Sequence, residues 1–121
     1  MMADPPSRTL PREAIVRHKR DFQAVFATRQ ACRTGPLVVH AGRNTVGRCR
    51  LGLAVPRAVG NAPQRNRIKR LLREAFRHVQ HQLPNTLDLV IVVRPHDPQS
   101  PDAYADLLVS AAGQLTARSQ P

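Results

Sequence analysis

The run LDLVIVV at residues 87–93 is the sequence feature that most constrains the fold, because only one of its seven residues is polar. A strand that faces water on one side alternates apolar and polar residues, whereas a continuous apolar run is typical of a central strand buried on both faces. Pro84 and Pro95 bound the run, and its length suits a strand better than a helix. The sequence therefore predicts a sheet built around this segment.

Helical and strand patterns alternate along the rest of the chain. Apolar residues at helical spacing follow Asp21, which is placed to cap a helix, and a last helix is expected to begin at Asp102. Between them come the β-rich runs PLVVHAG and RCRLGLAVP, and then a strongly helical pattern from Gln64 to about Gln82. The order is α-β-β-α-β-α, and the hairpin region leaves room for a third strand.

The length of 121 residues suits one compact domain. Three prolines in the first thirteen residues indicate a flexible arm over residues 1–13. The domain is predicted to span residues 14–118, with a short tail at 119–121.

The charges of the chain are segregated. The formal net charge is +11, yet residues 1–77 hold 17 of the 19 lysines and arginines and only four acids, while residues 78–121 are slightly acidic. A soluble surface normally mixes its signs. This asymmetry predicts a binding surface for a polyanion, with nucleic acid first and an anionic membrane surface second.

The cellular compartment and the contact with membranes are predicted from features that the sequence lacks. No apolar run approaches the roughly 18 residues of a membrane-spanning helix, and the first twenty residues do not resemble a signal peptide. Only two cysteines are present, Cys32 and Cys49, too few for a disulfide framework. We therefore expect a cytoplasmic protein with no membrane partner.

The helix predicted at residues 64–82 separates apolar from basic residues. On a helical wheel its core face takes Ile68, Leu71, Leu72, Ala75, Phe76 and Val79, and an adjoining arc takes Asn66, Lys69, Arg70, Arg73 and Arg77. The like-charge pairs along that arc each cost an isolated helix roughly 0.2–0.5 kcal/mol, which suggests that an external anion relieves the repulsion. The alternatives are an ordinary basic surface helix and a DNA-reading helix-turn-helix. A strand and a loop precede this helix, which argues against the second.

The segment GLAVPRAVGNAPQRNRIKRLLREAFR closely resembles the signature of the bacterial ribonuclease P protein subunit. The family pattern is a Gly-Leu-x-Val strand, a Gly-Asn-Ala turn and a helix with Arg-Asn-Arg-x-Lys-Arg-x-x-Arg-Glu. It is filled here by Gly52, Leu53, Val55, Gly60, Asn61, Ala62, Arg65, Asn66, Arg67, Lys69, Arg70, Arg73 and Glu74. The looser resemblance extends over about residues 10–118.

The resemblance implies a fold and a function. The fold would be an α/β two-layer sandwich in the order α-β-β-β-α-β-α, with a left-handed βαβ crossover, similar to the second domain of ribosomal protein S five. The function would be that of the protein component of ribonuclease P, which assists a catalytic RNA in removing the 5′ leader of precursor tRNA. Mg²⁺ would be bound mainly by the RNA subunit and the substrate, with no organic cofactor and no obligate protein partner.

The resemblance also assigns residues to two RNA surfaces. It carries RNA-subunit binding to Arg65, Asn66, Arg67, Lys69, Arg70 and Arg73. It carries leader binding, in a cleft between the first helix and the sheet, to Phe22, Phe26 and Arg57. Without the resemblance the two phenylalanines would be expected in the core. The sheet position where the family often has Tyr is expected to be aliphatic here, at Val38 or Val39.

Two other classes of protein share parts of this pattern. A ribosomal-type RNA-binding protein would have the same basic composition but not the Arg-Asn-Arg helix motif. An autonomous metal-dependent nuclease would need clustered carboxylates, and this chain has only eight acids, four of them in its acidic part. His78 and His81 are better placed to cap the end of a helix than to bind metal. No catalytic and no metal-binding residue is therefore predicted in the protein itself.

Overall fold

A computed structural model describes residues 10–119 of the chain, with side chains as far as residue 116. Three helices and four strands follow one another in the predicted order, with single 3₁₀ turns at Arg12–Ala14, Arg57–Val59 and Gln80–Gln82. The elements are α1 (Lys19–Ala27), β1 (Ala31–Thr34), β2 (Leu37–Arg43), β3 (Arg50–Ala54), α2 (Ala62–Val79), β4 (Leu87–Val93) and α3 (Pro101–Ser119).

The four strands form one sheet in the order β1-β2-β4-β3. β4 pairs antiparallel with β2 and parallel with β3, and the parallel pair is joined by α2. β4 is thus the central strand that the apolar run predicts, and six of its seven residues are buried. The third strand of the hairpin region is β1, which pairs antiparallel with β2. The left hand of the crossover and the likeness to the ribosomal protein stay predictions.

The two faces of the sheet bury different layers. Alternate residues of β4, such as Leu89 and Ile91, belong to the main core together with side chains of α2 and α3. The intervening residues, such as Val90, lie on the opposite face, where α1 crosses the sheet. We call this opposite side the cleft face, because α1 covers only part of it.

Three boundaries differ from those predicted. Leu10 is buried in the main core and residues 12–14 form a 3₁₀ turn, so residues 10–13 belong to the domain and not to a flexible arm. The remainder of that arm, residues 1–9, lies outside the described residues, as do residues 120–121 of the tail. Asp21 does not cap α1, which begins two residues earlier after His18. At α3 the hydroxyl of Ser100, rather than Asp102, accepts a hydrogen bond from the Ala103 amide.

One buried ion pair lies at the start of β4 on the cleft face. The Asp88 carboxylate is 4% exposed and accepts hydrogen bonds from Nε and Nη2 of Arg50 on β3, at 2.7 and 2.6 Å. The side-chain amide of Asn44, in the loop after β2, donates a third at 2.7 Å. The one acid of the apolar run therefore joins β3, β4 and the β2–β3 loop.

We predict that Asp88→Ala lowers the free energy of unfolding by about 3 kcal/mol, because it leaves a largely buried guanidinium and an amide without their acceptor. Urea denaturation followed by circular dichroism measures this change. Asp97→Ala, which removes an exposed carboxylate from a loop, is the control and should change stability by less than about 0.5 kcal/mol. Equal effects of the two substitutions would contradict the structural role of the pair.

Candidate nucleic-acid interface

The start of α2 is held by a reciprocal capping box. The Asn61 side chain accepts a hydrogen bond from the Gln64 amide at 2.9 Å, and the Gln64 side chain accepts one from the Asn61 amide at 2.8 Å. Gly60 leaves the space that the Gln64 side chain fills. The Gly-Asn-Ala turn of the sequence motif therefore fixes where α2 begins, which in turn fixes the direction of its basic side chains.

α2 presents the two faces that its sequence predicts. Its apolar arc is buried in the main core, apart from half-buried Leu71. Asn66, Arg67, Arg70 and Arg73 are exposed, while Arg65 and Lys69 are half-buried. The Arg65 guanidinium also donates to the Gly60 carbonyl at 3.2 Å, which ties it to the turn before the helix. These six residues form one basic surface, which we call the α2 surface.

Glu74 limits the length of that basic surface. Its carboxylate contacts Arg77 at 2.5 Å and His78 at 3.0 Å. The hydrogen bond from Arg77 lowers the pKa of Glu74, so the carboxylate is charged at neutral pH. Arg77 therefore has a counter-ion within the protein, whereas the arginines nearer the start of α2 form no ion pair with a carboxylate of the described residues. The ion pair separates Arg77 from the α2 surface.

A cleft lies between α1 and the uncovered part of the cleft face. Phe22 is half-buried, with its ring against Gly52 of β3, and Phe26 is 38% exposed. The ring of Phe26 meets His40 of β2 edge-on, with the ring centroids 4.8 Å apart. The phenylalanines are therefore not simply core residues. Together with His40 they form an aromatic surface at the edge of α1.

Of the two aliphatic residues predicted for the cleft, Val38 lies on the cleft face and Val39 does not. Val39 is fully buried in the main core, so it points away from the cleft. His40 and half-buried Val38 lie on the cleft face, because strand residues alternate between faces. Burial lowers the pKa of His40, which favours the neutral ring at neutral pH. The sequence did contain a signal for His40 at the cleft, because His40 is a polar residue within the apolar run at residues 37–41.

The cleft and the α2 surface meet at the outer edge of β3. Residues 15–17 run beside this edge, where the Val16 amide donates to the Leu51 carbonyl at 2.9 Å. A cavity of about 240 Å³ opens there, lined by Phe22 of α1, Arg17, and Lys69 and Arg73 of α2. Arg57, in the turn after β3, is exposed. Phe22, which the resemblance assigned to the leader, therefore lies beside Lys69 and Arg73, which it assigned to the RNA subunit.

The family model for ribonuclease P matches residues 10–114, which is nearly the whole described domain. The chain belongs to the ribonuclease P protein family. It is 33% identical over 108 residues to the ribonuclease P protein component of Chlamydia pneumoniae, a match that covers 88% of this chain and 76% of the relative. It is 40% identical over 87 residues to that of Edwardsiella ictaluri, covering 71% and 72% of the two chains.

A solved structure shares the fold of this family member. The ribonuclease P protein from Thermotoga maritima superposes with a TM-score of 0.73 at 27% identity, and the match covers 83% of this chain and 96% of that one. The predicted mixed α/β architecture is thereby confirmed, with one sheet of four strands and three helices.

The remaining histidines and cysteines form no metal site in the described part of the chain. Within residues 10–119 no three His, Cys, Asp or Glu side chains are grouped closely enough to hold a metal ion. His96 accepts or donates at 2.6 Å to the buried Tyr104 hydroxyl, which fixes the loop before α3. None of the helices in this range is long and apolar enough to cross a membrane.

We predict that Gly52→Ala destabilises the protein by about 1–3 kcal/mol, because a Cβ there would lie 3.0 Å from the Phe22 ring and 3.1 Å from Val16. Gly113→Ala is the matched control, since its Cβ would meet no atom within 4 Å on an exposed helical face. That change should stabilise by about 0.5–1 kcal/mol through helix propensity. Thermal denaturation of both variants measures the difference, and a neutral Gly52→Ala would show that Phe22 is not held against β3.

Proposed function

We propose that this chain acts as the protein subunit of ribonuclease P, binding the catalytic RNA through the α2 surface and the single-stranded 5′ leader of precursor tRNA through the cleft. The family membership supports the first partner directly. The continuity of the α2 surface with the cleft, across the cavity at the β3 edge, is the observation that carries the second. One RNA assembly can contact both surfaces at once.

The α2 surface has the chemistry that phosphates require. Five of its six residues are cations, four of them arginine, and their guanidinium groups can donate two parallel hydrogen bonds to a phosphate. Each phosphate contact adds about 0.7–0.9 to the slope of log affinity against log salt concentration. The surface would therefore bind the RNA subunit with a steep salt dependence.

The cleft has the chemistry that unpaired bases require. Phe26 offers an exposed ring, Phe22 and His40 extend the aromatic surface, and Arg57 adds a cation after β3. Stacking on aromatic rings tolerates any base, which suits leaders of different sequence. The neutral His40 ring can stack without the cost of desolvating a charge.

Catalysis in this proposal belongs to the RNA subunit. Hydrolysis of a phosphodiester by paired Mg²⁺ ions needs clustered oxygen ligands, which phosphates of the RNA subunit and the substrate supply. Of the acids near the interface, Asp88 is bound by Arg50 and Asn44, and Glu74 is paired with Arg77 and His78. A third, Asp21, adjoins Phe22 on α1, and within residues 10–119 no three His, Cys, Asp or Glu side chains are grouped closely enough to hold a metal ion. The protein would neutralise phosphates so that the RNA holds its substrate at modest Mg²⁺ concentration.

We predict that the protein restores cleavage of a precursor tRNA by a bacterial ribonuclease P RNA at low Mg²⁺, and that neither component cleaves alone. Replacing both Arg70 and Arg73 by Ala should leave the fold intact and weaken RNA-subunit binding by at least tenfold, because two exposed phosphate contacts are lost. Filter binding across a salt series measures the affinity and its slope.

The control is Arg33→Ala together with Arg94→Ala, which removes two exposed arginines from outside α2. Unchanged assembly of the Arg70/Arg73 variant at physiological salt would contradict the α2 surface. RNA binding without restored cleavage would favour a ribosomal-type protein, and cleavage by the protein alone would favour a nuclease.

We predict that Phe26→Ala weakens binding of a precursor tRNA with a five-nucleotide leader by about tenfold, and leaves binding of leaderless tRNA unchanged, because one stacking platform is lost. Ser110→Ala is the control, since Ser110 is exposed on α3, which packs on the opposite, main-core face of the sheet. Affinities are measured with the assembled holoenzyme. Equal losses for both substrates would assign Phe26 to assembly instead of leader binding.

A further inference from the structure

The loop between β2 and β3 has a defined conformation. The Asn44 side-chain amide donates to the Arg48 carbonyl at 3.0 Å as well as to Asp88, and its oxygen accepts from the Val46 amide at 3.1 Å. Gly47 has a positive φ of 82°, a conformation that favours glycine. The loop is thereby anchored to the buried ion pair, so the position of Arg48 is fixed by the fold.

The Arg48 guanidinium is poorly satisfied for a charged group. Its Nη2 donates one long hydrogen bond to Gln80 Oε1 at 3.4 Å, and its Nε is shielded from solvent with no acceptor. Among residues 10–119 no carboxylate forms an ion pair with it, because Asp88 is taken by Arg50 and Asn44. Shielding a charged donor without a partner is costly, so this arrangement indicates a missing acceptor.

The missing acceptor is not a protein thiolate. Cys49 adjoins Arg48, and burial together with the charge of Asp88 raises the pKa of its thiol to about 12. The thiol is therefore neutral at physiological pH. The acceptor that completes the Arg48 environment therefore comes from outside the described residues.

Arg48 lines the space in which such an anion would fit. A cavity of about 730 Å³ lies between the β2–β3 loop and the end of α2. His81 and Asn85 line it from the other side, and each carries a side-chain N–H that can donate to an oxyanion. Gln80 also lines it, with its Oε1 accepting from Arg48. The Gln80 side-chain amide already donates to the Arg77 carbonyl at 3.2 Å, which offsets part of the negative end of the α2 dipole.

We propose that this cavity binds a phosphate group, held mainly by Arg48, and that its occupant is a backbone phosphate of the RNA subunit. The inference rests on the proposed function for the identity of the RNA. α2 connects the two sites, since its first turns carry the α2 surface and its last turn adjoins the cavity. RNA bound along α2 would then contact the protein at both ends of the helix.

The anion site is tested on the full chain without RNA. Inorganic phosphate is titrated against chloride at constant ionic strength, and the backbone amides of Gly47 and Cys49 and the Nε–H of Arg48 are followed by NMR. Saturable shifts at these groups are expected in the wild-type chain and in Arg43→Ala, and the shifts of the Gly47 and Cys49 amides should be lost in Arg48→Gln. Shifts that persist in Arg48→Gln, or shifts spread over all basic residues, would overturn the site.

The source of the phosphate is tested on the holoenzyme. Arg48→Gln should weaken binding of ribonuclease P RNA about tenfold and reduce the slope of log affinity against log salt concentration by about 0.7–0.9. The control is Arg43→Ala, at an exposed position five residues earlier, which should leave this slope unchanged. Thermal denaturation verifies that both variants are folded. Unchanged RNA affinity of Arg48→Gln would overturn the assignment to RNA and leave free phosphate as the ligand. Failure of the wild-type chain to bind the RNA would contradict the proposed function instead, and the phosphate titration would still test the cavity.

Discussion

The burial of β4 on both of its faces is the constraint on which the rest of this structure depends. A strand without a polar face needs cover on each side, and here α2 and α3 cover one side while α1 covers part of the other. Parallel pairing of β4 with β3 requires a connection that crosses from one end of the sheet to the other, and α2 is that connection. The most basic helix of the chain is therefore packed beside the edge of the sheet.

The placement of α2 exposes its basic residues on one surface of the protein. The core face of α2 is anchored by residues such as Leu72 and Phe76, so its arginines must point outward. The capping box at Asn61 and Gln64 fixes where the helix begins, and hence the angular position of each arginine. Repulsion between neighbouring cations is tolerated because α2 is stabilised by its core packing and its capping box, and not by its surface charges. In the proposed function, a partner rich in phosphate relieves the repulsion.

The cleft arises from the incomplete cover on the other face. α1 is only nine residues long, too short to shield the whole width of the sheet. Gly42 and Gly52 let it approach closely, with Val25 and Phe22 lying directly over their backbones. What α1 leaves uncovered is lined by side chains of moderate polarity, including His40. The cleft that we propose for unpaired nucleotides therefore results from the partial cover that α1 gives to this face of the sheet.

The sequence by itself determined the element order, the central strand, the two faces of α2 and, through its motif, the family. These properties depend on local spacing: a continuous apolar run, a 3.6-residue periodicity and a run of matched residues. Only the tertiary structure decided that His40 and not Val39 faces the cleft, because strand register sets which residues point to which face. It also decided that Arg77 is neutralised by Glu74, while Arg48, beside a cavity, forms no ion pair with a carboxylate of the described residues. The distances between such side chains are set by tertiary packing, so the composition of the chain alone cannot predict which of them pair.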